Sequence, residues 1–288
     1  MISIGLVSGI IVMLCWGIGD FLASILTKKI GTIKTMFVNN VFWLIISIPL
    51  AFYIYFNNLI KITWIDFFLI CLSSFIDIFA VYNFLKSLEF GEVTIVSPIS
   101  SAYSLITVIL ALLLLNETLS LLRLVSILII IIGIILSSAD LSKLKNLHTA
   151  KGVKQALIAM VLWGIYFFIL GIVKKSTDSI NIFLFSFTTI AIFFTIFAIL
   201  KKGMTNYQEL AKQKLVLIFI IGNILFLLAW IVMSYALPKE NISILTPLSS
   251  LYSAITVVLA AIFYKEKLVF NQKIGIVVIL AGIVLISI

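Results

Sequence analysis

Ten predominantly apolar runs, each 19 to 23 residues long, leave this chain few ways to fold. Bounded by charge, Gly, Pro or Asn, they fall near residues 4–25, 36–56, 64–85, 93–115 and 121–139, then 153–173, 180–200, 215–237, 242–264 and 270–288. About 20 apolar residues in a helix cross a hydrocarbon core ~30 Å thick, so each run suits one crossing. The runs are continuous rather than alternating, which excludes a barrel. With 63% of the residues apolar and 11% charged, a water-soluble chain and a disordered one are excluded as well. The links are too short for a soluble catalytic domain. The expectation is an all-α membrane protein with ten transmembrane helices.

Charge orients such a chain. Of its 20 basic residues only Arg123 is not a lysine, and they are scattered over nearly every link, so no basic face for nucleic acid forms. The odd-numbered links hold fifteen of them, among them Lys28, Lys29, Lys34, Lys86, Lys143, Lys145, Lys201, Lys202, Lys212, Lys265, Lys267 and Lys273. The even-numbered links hold five: Lys61, Arg123, Lys174, Lys175 and Lys239. The positive-inside rule then predicts odd links in the cytoplasm and both termini outside a cell membrane. Met1-Ile2-Ser3 lacks the basic start of a signal peptide, no small-x-small cleavage site follows, and Leu14 before Cys15 does not suit a lipid anchor, so the first run is expected to stay. Cys15 and Cys71 lie inside apolar runs and form neither a disulfide framework nor a metal-binding spacing. His148 sits in a polar linker and reads as solvated.

The chain repeats itself. Val96-Ser-Pro-Ile-Ser-Ser-Ala-Tyr-Ser-Leu-Ile-Thr-Val108 aligns with Leu245-Thr-Pro-Leu-Ser-Ser-Leu-Tyr-Ser-Ala-Ile-Thr-Val257, eight of thirteen positions being identical at an offset of 149. The same offset matches Glu117 with Glu266 and Gly133 with Gly282, and Met13-Leu-Cys-Trp-Gly-Ile18 matches Met160-Val-Leu-Trp-Gly-Ile165 at 147. The ordered series marks an internal duplication, with halves at 1–147 and 148–288. Five runs per half is an odd number, so the second copy enters the membrane from the opposite side. Such inverted-topology repeats are characteristic of secondary transporters, whose substrate site lies near the midplane between the repeats.

Two copies of a unit with an early Trp-Gly-Ile, then Pro-x-Ser-Ser-x-Tyr-Ser-x-Ile-Thr-Val, then a Glu closing the fourth helix and a Gly in the fifth, resemble the EamA-type members of the drug/metabolite transporter superfamily. The resemblance covers the whole chain. It implies a ten-helix basket whose central cavity is lined by the first four helices of each half, with the fifth and tenth more peripheral. It also implies transport of a small molecule such as an amino acid, a sugar or an organic cation, without naming which.

Several residues are candidates for that work. Asp77 falls near the middle of its run, where an ionised carboxylate is costly. It is therefore a candidate proton carrier or partner for a cation, with Ser73 one turn before it as a hydrogen-bond donor; its repeat counterpart is Phe226. Asp20 follows Trp16 by four residues, so ring and carboxylate share a face and could clamp a cation; contact with Lys28 or Lys29 is the competing expectation. The symmetric helix carries Trp163 and Phe167. Pro98 and Pro247 each remove one helical hydrogen bond and are candidate hinges. Their freed carbonyls are expected to turn to nearby hydroxyls: Ser97, Ser100 and Ser101, or Thr246, Ser249 and Ser250. Ser101 and Ser250 are also candidate cavity residues. Tyr103 and Tyr252 offer an apolar wall with one hydroxyl each, suited to a small polar ligand. Asn39, Asn40, Asn223 and Trp230 complete the candidate set. Glu117 and Glu266 read as structural, capping a following helix or pairing with Arg123 or Lys267.

Two rival readings fit parts of the sequence. Gly17-Ile-Gly-Asp20 matches the short signature of intramembrane aspartyl proteases, with Asp77 as the second carboxylate. The order is reversed, however, Ile76 stands where a Tyr precedes the first Asp, and no Pro-Ala-Leu follows. A non-transporting scaffold is the other. No nucleotide loop, zinc motif or nucleophile elbow is present, so no enzyme, metal or cofactor is expected. The expected partners are a small-molecule substrate, the bilayer and protons, for a monomer or homodimer.

Overall fold

In hydrocarbon a backbone has no water to bond, so a long apolar run satisfies its own N–H and C=O groups by becoming a helix. The computed structural model describes residues 4–57, 60–115, 117, 119–138, 151–200, 213–266 and 269–287, and among them no strand occurs. The helices are α1 Ile4–Ile30, α2 Thr32–Phe56, α3 Trp64–Phe90, α4 Val93–Ser101, α5 Tyr103–Leu114 and α6 Leu121–Ser138. The second series is α7 Val153–Val173, α8 Ser179–Leu200, α9 Gln213–Ala236, α10 Ile242–Ser250, α11 Tyr252–Phe263 and α12 Phe270–Ser287. Taking α4 with α5 and α10 with α11 as single spans, eight among the described residues are long and apolar enough to cross a membrane, and Leu121–Gly133 is a shorter apolar helix. This is a multi-pass membrane protein. The proposed boundary at 147/148, His148, Lys143, Lys145, Lys201, Lys202, Lys212 and Lys267 lie outside the described residues.

Two expectations about helix ends change. The helices α1 and α3 run five residues past 25 and 85, to Ile30 and Phe90, because lysine tails at a helix end can reach the interface without unwinding it. The runs at 93–115 and 242–264 are each broken in two, at Ala102 and Leu251.

Unlike a soluble protein, this one covers its outside with large apolar side chains and buries many small hydroxyls beside its apolar core. Ile45, Phe52, Phe68, Leu113, Leu217 and Phe263 point outward. Ser97, Ser100, Ser101 and Ser104, with their counterparts Thr246, Ser249, Ser250 and Ser253, are fully buried. Small residues let helices approach closely where lipid supplies no hydrophobic drive between them. The repeats interlock rather than sit side by side: α1 packs on α9 and α11, and α7 packs on the matching α3 and α5. Pairs α2–α8 and α6–α12 are each helix and counterpart, and α4 meets α11 as α10 meets α5.

The Trp-Gly-Ile motif explains part of this interlock. A Cβ on Gly17 would lie 2.5 Å from Ile255 Cβ and 2.7 Å from Tyr252 O, and one on Gly164 would lie 2.6 Å from Ile106 Cβ. Thr256 Oγ1 donates to Gly17 O at 3.0 Å, and Thr107 Oγ1 to Gly164 O at 3.1 Å. Overpacking a core costs about 1 to 3 kcal/mol, so Gly17→Ala is expected to lower unfolding stability in detergent by that much. An unchanged denaturation midpoint would mean that the α1–α11 approach is slack.

Pro98 frees the Thr94 carbonyl, but the nearby hydroxyls do not take it. Ser100 donates to Val96 O, Ser101 to Pro98 O, and Thr94 O accepts instead from Gln272 Nε2 of α12 at 3.3 Å. In the second half Thr246, Ser249 and Ser250 donate to Ile242, Thr246 and Pro247 carbonyls. Ser97 Oγ is buried with no partner among the described residues.

Candidate functional site

Where α1, α3, α7 and α9 converge, flanked by α2, α8 and the first residues of α5 and α11, the bundle holds a cavity of about 960 Å³, counting the part open to the outside. Its wall carries Trp16, Asp20, Asn39, Asn40 and Asp77, and also Tyr103, Trp163, Trp230 and Tyr252. Among the described residues, none on the wall comes from α6 or α12.

The rings form a nearly symmetric box. Trp16 meets Tyr252 at 6.1 Å between centroids, and the counterpart pair Trp163 and Tyr103 also stands at 6.1 Å. Trp230 lies edge-on to Trp16 at 5.6 Å and stacks with Phe167 at 6.2 Å, while Tyr103 also stacks with Phe167, at 4.9 Å. Such offset and edge contacts suit aromatic quadrupoles.

The polar groups break the symmetry. Asp77 Oδ1 accepts from Trp163 Nε1 at 2.9 Å. Ser73 does not serve it, because its hydroxyl donates to Ile70 O at 2.9 Å. Asp20 is 5% exposed and reaches no hydrogen-bond donor among the described residues. The expected contact with Lys28 or Lys29 does not form: α1 continues ten residues beyond Asp20, and Lys28 lies over the Tyr264 ring at 4.5 Å and 3.9 Å from Glu266. Tyr103 Oη and Ser249 Oγ hydrogen-bond at 3.2 Å, whereas the hydroxyls of Tyr252 and Tyr166, both on the wall, have no partner among the described residues.

Three candidates stand beside the cavity rather than on it. Ser101 donates to Ser253 at 2.9 Å and Ser250 to Ser104 at 3.2 Å, so both tie the two repeats together. Asn223 Nδ2 donates to Asn39 Oδ1 at 3.1 Å, which holds Asn39 in place on the wall. Asn40 hydrogen-bonds with Thr195 at 2.8 Å. The prolines lie inside α4 and α10, one turn before the breaks.

Wall residues that the sequence left unmarked include Trp43, Phe84, Tyr166, Phe187 and Phe194. Phe167 and Phe226, noted only for lacking a carboxylate, are wall residues too. Tyr166 follows Trp163 by three residues and so shares its face, a signal that was available.

The cavity is lopsided along the helices. Its wall uses Asp77, Val81, Phe84 and Leu85 in the C-terminal half of α3, and Met36 and Asn39 near the start of α2. It therefore runs toward the end of the bundle that carries Lys28, Lys34 and Lys86. At the other end Ile70, Leu170, Val173, Met233, Leu237 and Ile242 are packed into one buried cluster.

Each end is tied by a glutamate from the opposite repeat. Glu117 accepts from Ile242 N at 3.0 Å, Ser243 N at 3.1 Å and Ser243 Oγ at 2.6 Å, and pairs with Lys174 at 3.1 Å. Glu266 accepts from Val93 N at 3.3 Å and Thr94 N at 2.9 Å. The expected structural role is realised across the repeats, on α10 and α4, in place of a cap on the following helix or a bond to Arg123.

Comparison with known proteins agrees with this layout. The profile described as the EamA-like transporter family matches residues 3–139 and again 150–288. The uncharacterized protein MJ1333.1 of Methanocaldococcus jannaschii is 44% identical over 79 residues, 27% of this chain and 58% of that protein's length. A solved crystal structure of a protein superposes on 100% of this chain and 98% of its own with a TM-score of 0.71 at 13% identity, a likeness of fold alone.

Proposed function

The chain belongs to the EamA-like transporter family, and from that premise we propose that it is a secondary active transporter moving a small polar metabolite (amino acid-like, organic cation or sugar) by alternating access. The observation that carries the reading is the cavity: it sits at mid-helix between the repeats, sealed at one end and extended toward the other. Two near-equivalent halves can exchange conformations and so exchange which end is open. The family also supports a non-enzyme, although Asp20 and Asp77 of the protease alternative share the cavity.

Ten crossings in two inverted repeats, divided at 1–147 and 148–288, are supported by which links meet. Glu117, Lys174 and Glu240 come from three even-numbered links and gather at one end. Lys28 and Glu266 join the start of α4 at the other, all from odd-numbered links. Ten crossings would sort them this way. The positive-inside rule then gives a cytoplasmic, lysine-rich end with the cavity facing it, and both termini outside the cell membrane, in a monomer or homodimer.

Within the cavity, Asp77 couples transport to protons or neutralises a cationic group; Trp16, Asp20, Asn39, Asn40, Tyr103, Trp163, Trp230 and Tyr252 line the route, and Ser101, Ser250 and Asn223 brace it. The test is flux in proteoliposomes. Solute-driven proton movement should disappear in Asp77→Asn, and full, equally pH-dependent flux in that variant removes Asp77 from coupling. Pro98 and Pro247 set the balance between the two open states. Alanine at both should change the labelling of a single cysteine placed at Val81 in a cysteine-free background, and unchanged labelling would refute the hinges.

A further inference from the structure

Three features of the cavity wall, taken together, narrow the solute. Asp20 and Asp77 are 5% and 6% exposed, and no Lys, Arg or His is among the wall residues that the described part of the chain supplies. One lysine at each end is engaged elsewhere, Lys28 with Glu266 and Lys174 with Glu117. Burying a carboxylate without a compensating charge is expensive, and among the described residues the protein compensates only in part, through the Trp163 donor to Asp77. The hydroxyls of Tyr166 and Tyr252, 0% and 3% exposed, are unpartnered among the described residues and line the same space. An unmet buried polar group costs free energy until a ligand or water meets it. The rest of the wall is predominantly aromatic, and ring faces attract cations but offer nothing to an anion.

We propose that the cavity selects small organic cations that carry no acidic group, such as alkyl or aryl amines and quaternary ammonium ions, with Asp20 and Asp77 as counter-charges and the tryptophans as walls. This names the substrate class of the transporter reading and rests on it. An amino acid would bring a carboxylate into a space that already holds two, with no cation to receive it. A sugar would bring no counter-charge to either aspartate. An ammonium group answers the charge, and its N–H groups, where present, can donate to the Tyr166 and Tyr252 oxygens.

Tryptophan fluorescence of the purified full-length protein reports occupancy directly. Trp16, Trp43, Trp163 and Trp230 line the cavity, and the fifth tryptophan, Trp64, is 87% exposed on the outside. The probes are 1,4-diaminobutane, phenethylamine, tetraethylammonium, leucine and glucose. At least one of the three cations should give a saturable change at micromolar to millimolar concentration, with leucine and glucose binding at least ten-fold more weakly. Asp20→Asn should weaken the best cation ten-fold or more, and Asp20→Glu should restore part of the loss. If Asp20→Asn does not fold, the ranking of probes on the unaltered protein still decides. Leucine or glucose binding as tightly as the cations, no saturable response to any cation, or cation binding unchanged by Asp20→Asn overturns the proposal. Flux of the same probe in proteoliposomes separates the two readings: a cation that binds but never crosses refutes transport and leaves the cation site standing, whereas leucine or glucose that binds and crosses does the reverse.

Discussion

Replacing Glu117 with Ala is expected to lower the stability of the folded protein by about 3 to 5 kcal/mol, the loss usual when one partner of a buried ion pair is removed. The side chains of Glu117 and Lys174 are 6% and 9% exposed, and the carboxylate also accepts three hydrogen bonds at the start of α10. Asn241, at the position before that helix, gives no side-chain cap, so nothing local replaces the glutamate, and the helix dipole adds to its value there. The symmetric Glu266→Ala should cost less. Its lysine partner, Lys28, stands 3.9 Å away with 30% of its side chain exposed, and exposed pairs contribute about 1 kcal/mol or less. Urea or thermal unfolding of the two variants in one detergent checks this inequality, and equal losses would refute it.

Acid should act on the same contact. Burial alone would raise the Glu117 carboxyl, but the Ser243 hydroxyl, the Lys174 ammonium and the backbone N–H groups outweigh it and hold it below the ordinary carboxylate range. A depressed carboxyl contributes stability that is complete above its unfolded value, about 4.3, and is lost as pH falls through the folded value. The melting temperature of the unaltered protein should therefore drop below about pH 4.3, and Glu117→Gln should flatten that part of the profile.

Much of the fold is legible in sequence because membrane crossing is a length constraint on apolar residues, and such lengths can be read directly. The repeat is legible for a different reason: Pro98 and Pro247, and Gly17 and Gly164, answer the same packing demand twice. Helix breaks are not. Pro98 is visible, yet the chain breaks at Ala102, whose N–H is shared between Pro98 O at 3.2 Å and Ile99 O at 3.3 Å, tightening the last turn of one helix before the next begins. Which residue takes the freed Thr94 carbonyl depends on Gln272, 178 positions away, and no local pattern encodes that. Charge misled in one place. Ending the first run at 25 left contact between Asp20 and Lys28 or Lys29 as an expectation, whereas α1 runs to Ile30 and Asp20 lines the aromatic box.

Residue type marked Asp77, Trp16 and Tyr252 because an acid, a large ring or a phenol inside an apolar run is conspicuous. Phe84, Phe187 and Phe194 on the same wall could not be marked, since among 23 phenylalanines nothing local separates a ring facing lipid from one facing the cavity. Conversely, Ser101 and Ser250 looked like cavity residues and instead bond across the repeat interface. A hydroxyl one turn from a proline has the same sequence signature in either place.

The broken symmetry of the box yields the second large effect. Trp163→Phe keeps an aromatic ring on the wall but removes the only donor to Asp77 among the described residues. Hydrogen bonds to charged groups contribute about 1.5 to 3 kcal/mol, so the variant should lose about 10- to 100-fold in apparent substrate affinity if a solute must find Asp77 already oriented. Trp16 is the control supplied by the duplication. It occupies the equivalent place in the first repeat and makes the equivalent ring contact with Tyr252, but its counterpart carboxylate is replaced by Phe226, and its indole donates to no side chain among the described residues. Trp16→Phe should therefore cost only packing, within a few-fold of the unaltered protein. Measuring both variants for solute-dependent thermal stabilisation and for flux separates a positioning role from a wall role. If the two substitutions weaken binding equally, the Trp163–Asp77 hydrogen bond contributes nothing to recognition. If only Trp163→Phe does, the functional centre lies off the pseudo-two-fold axis, on the side of the box where the duplicated halves have diverged.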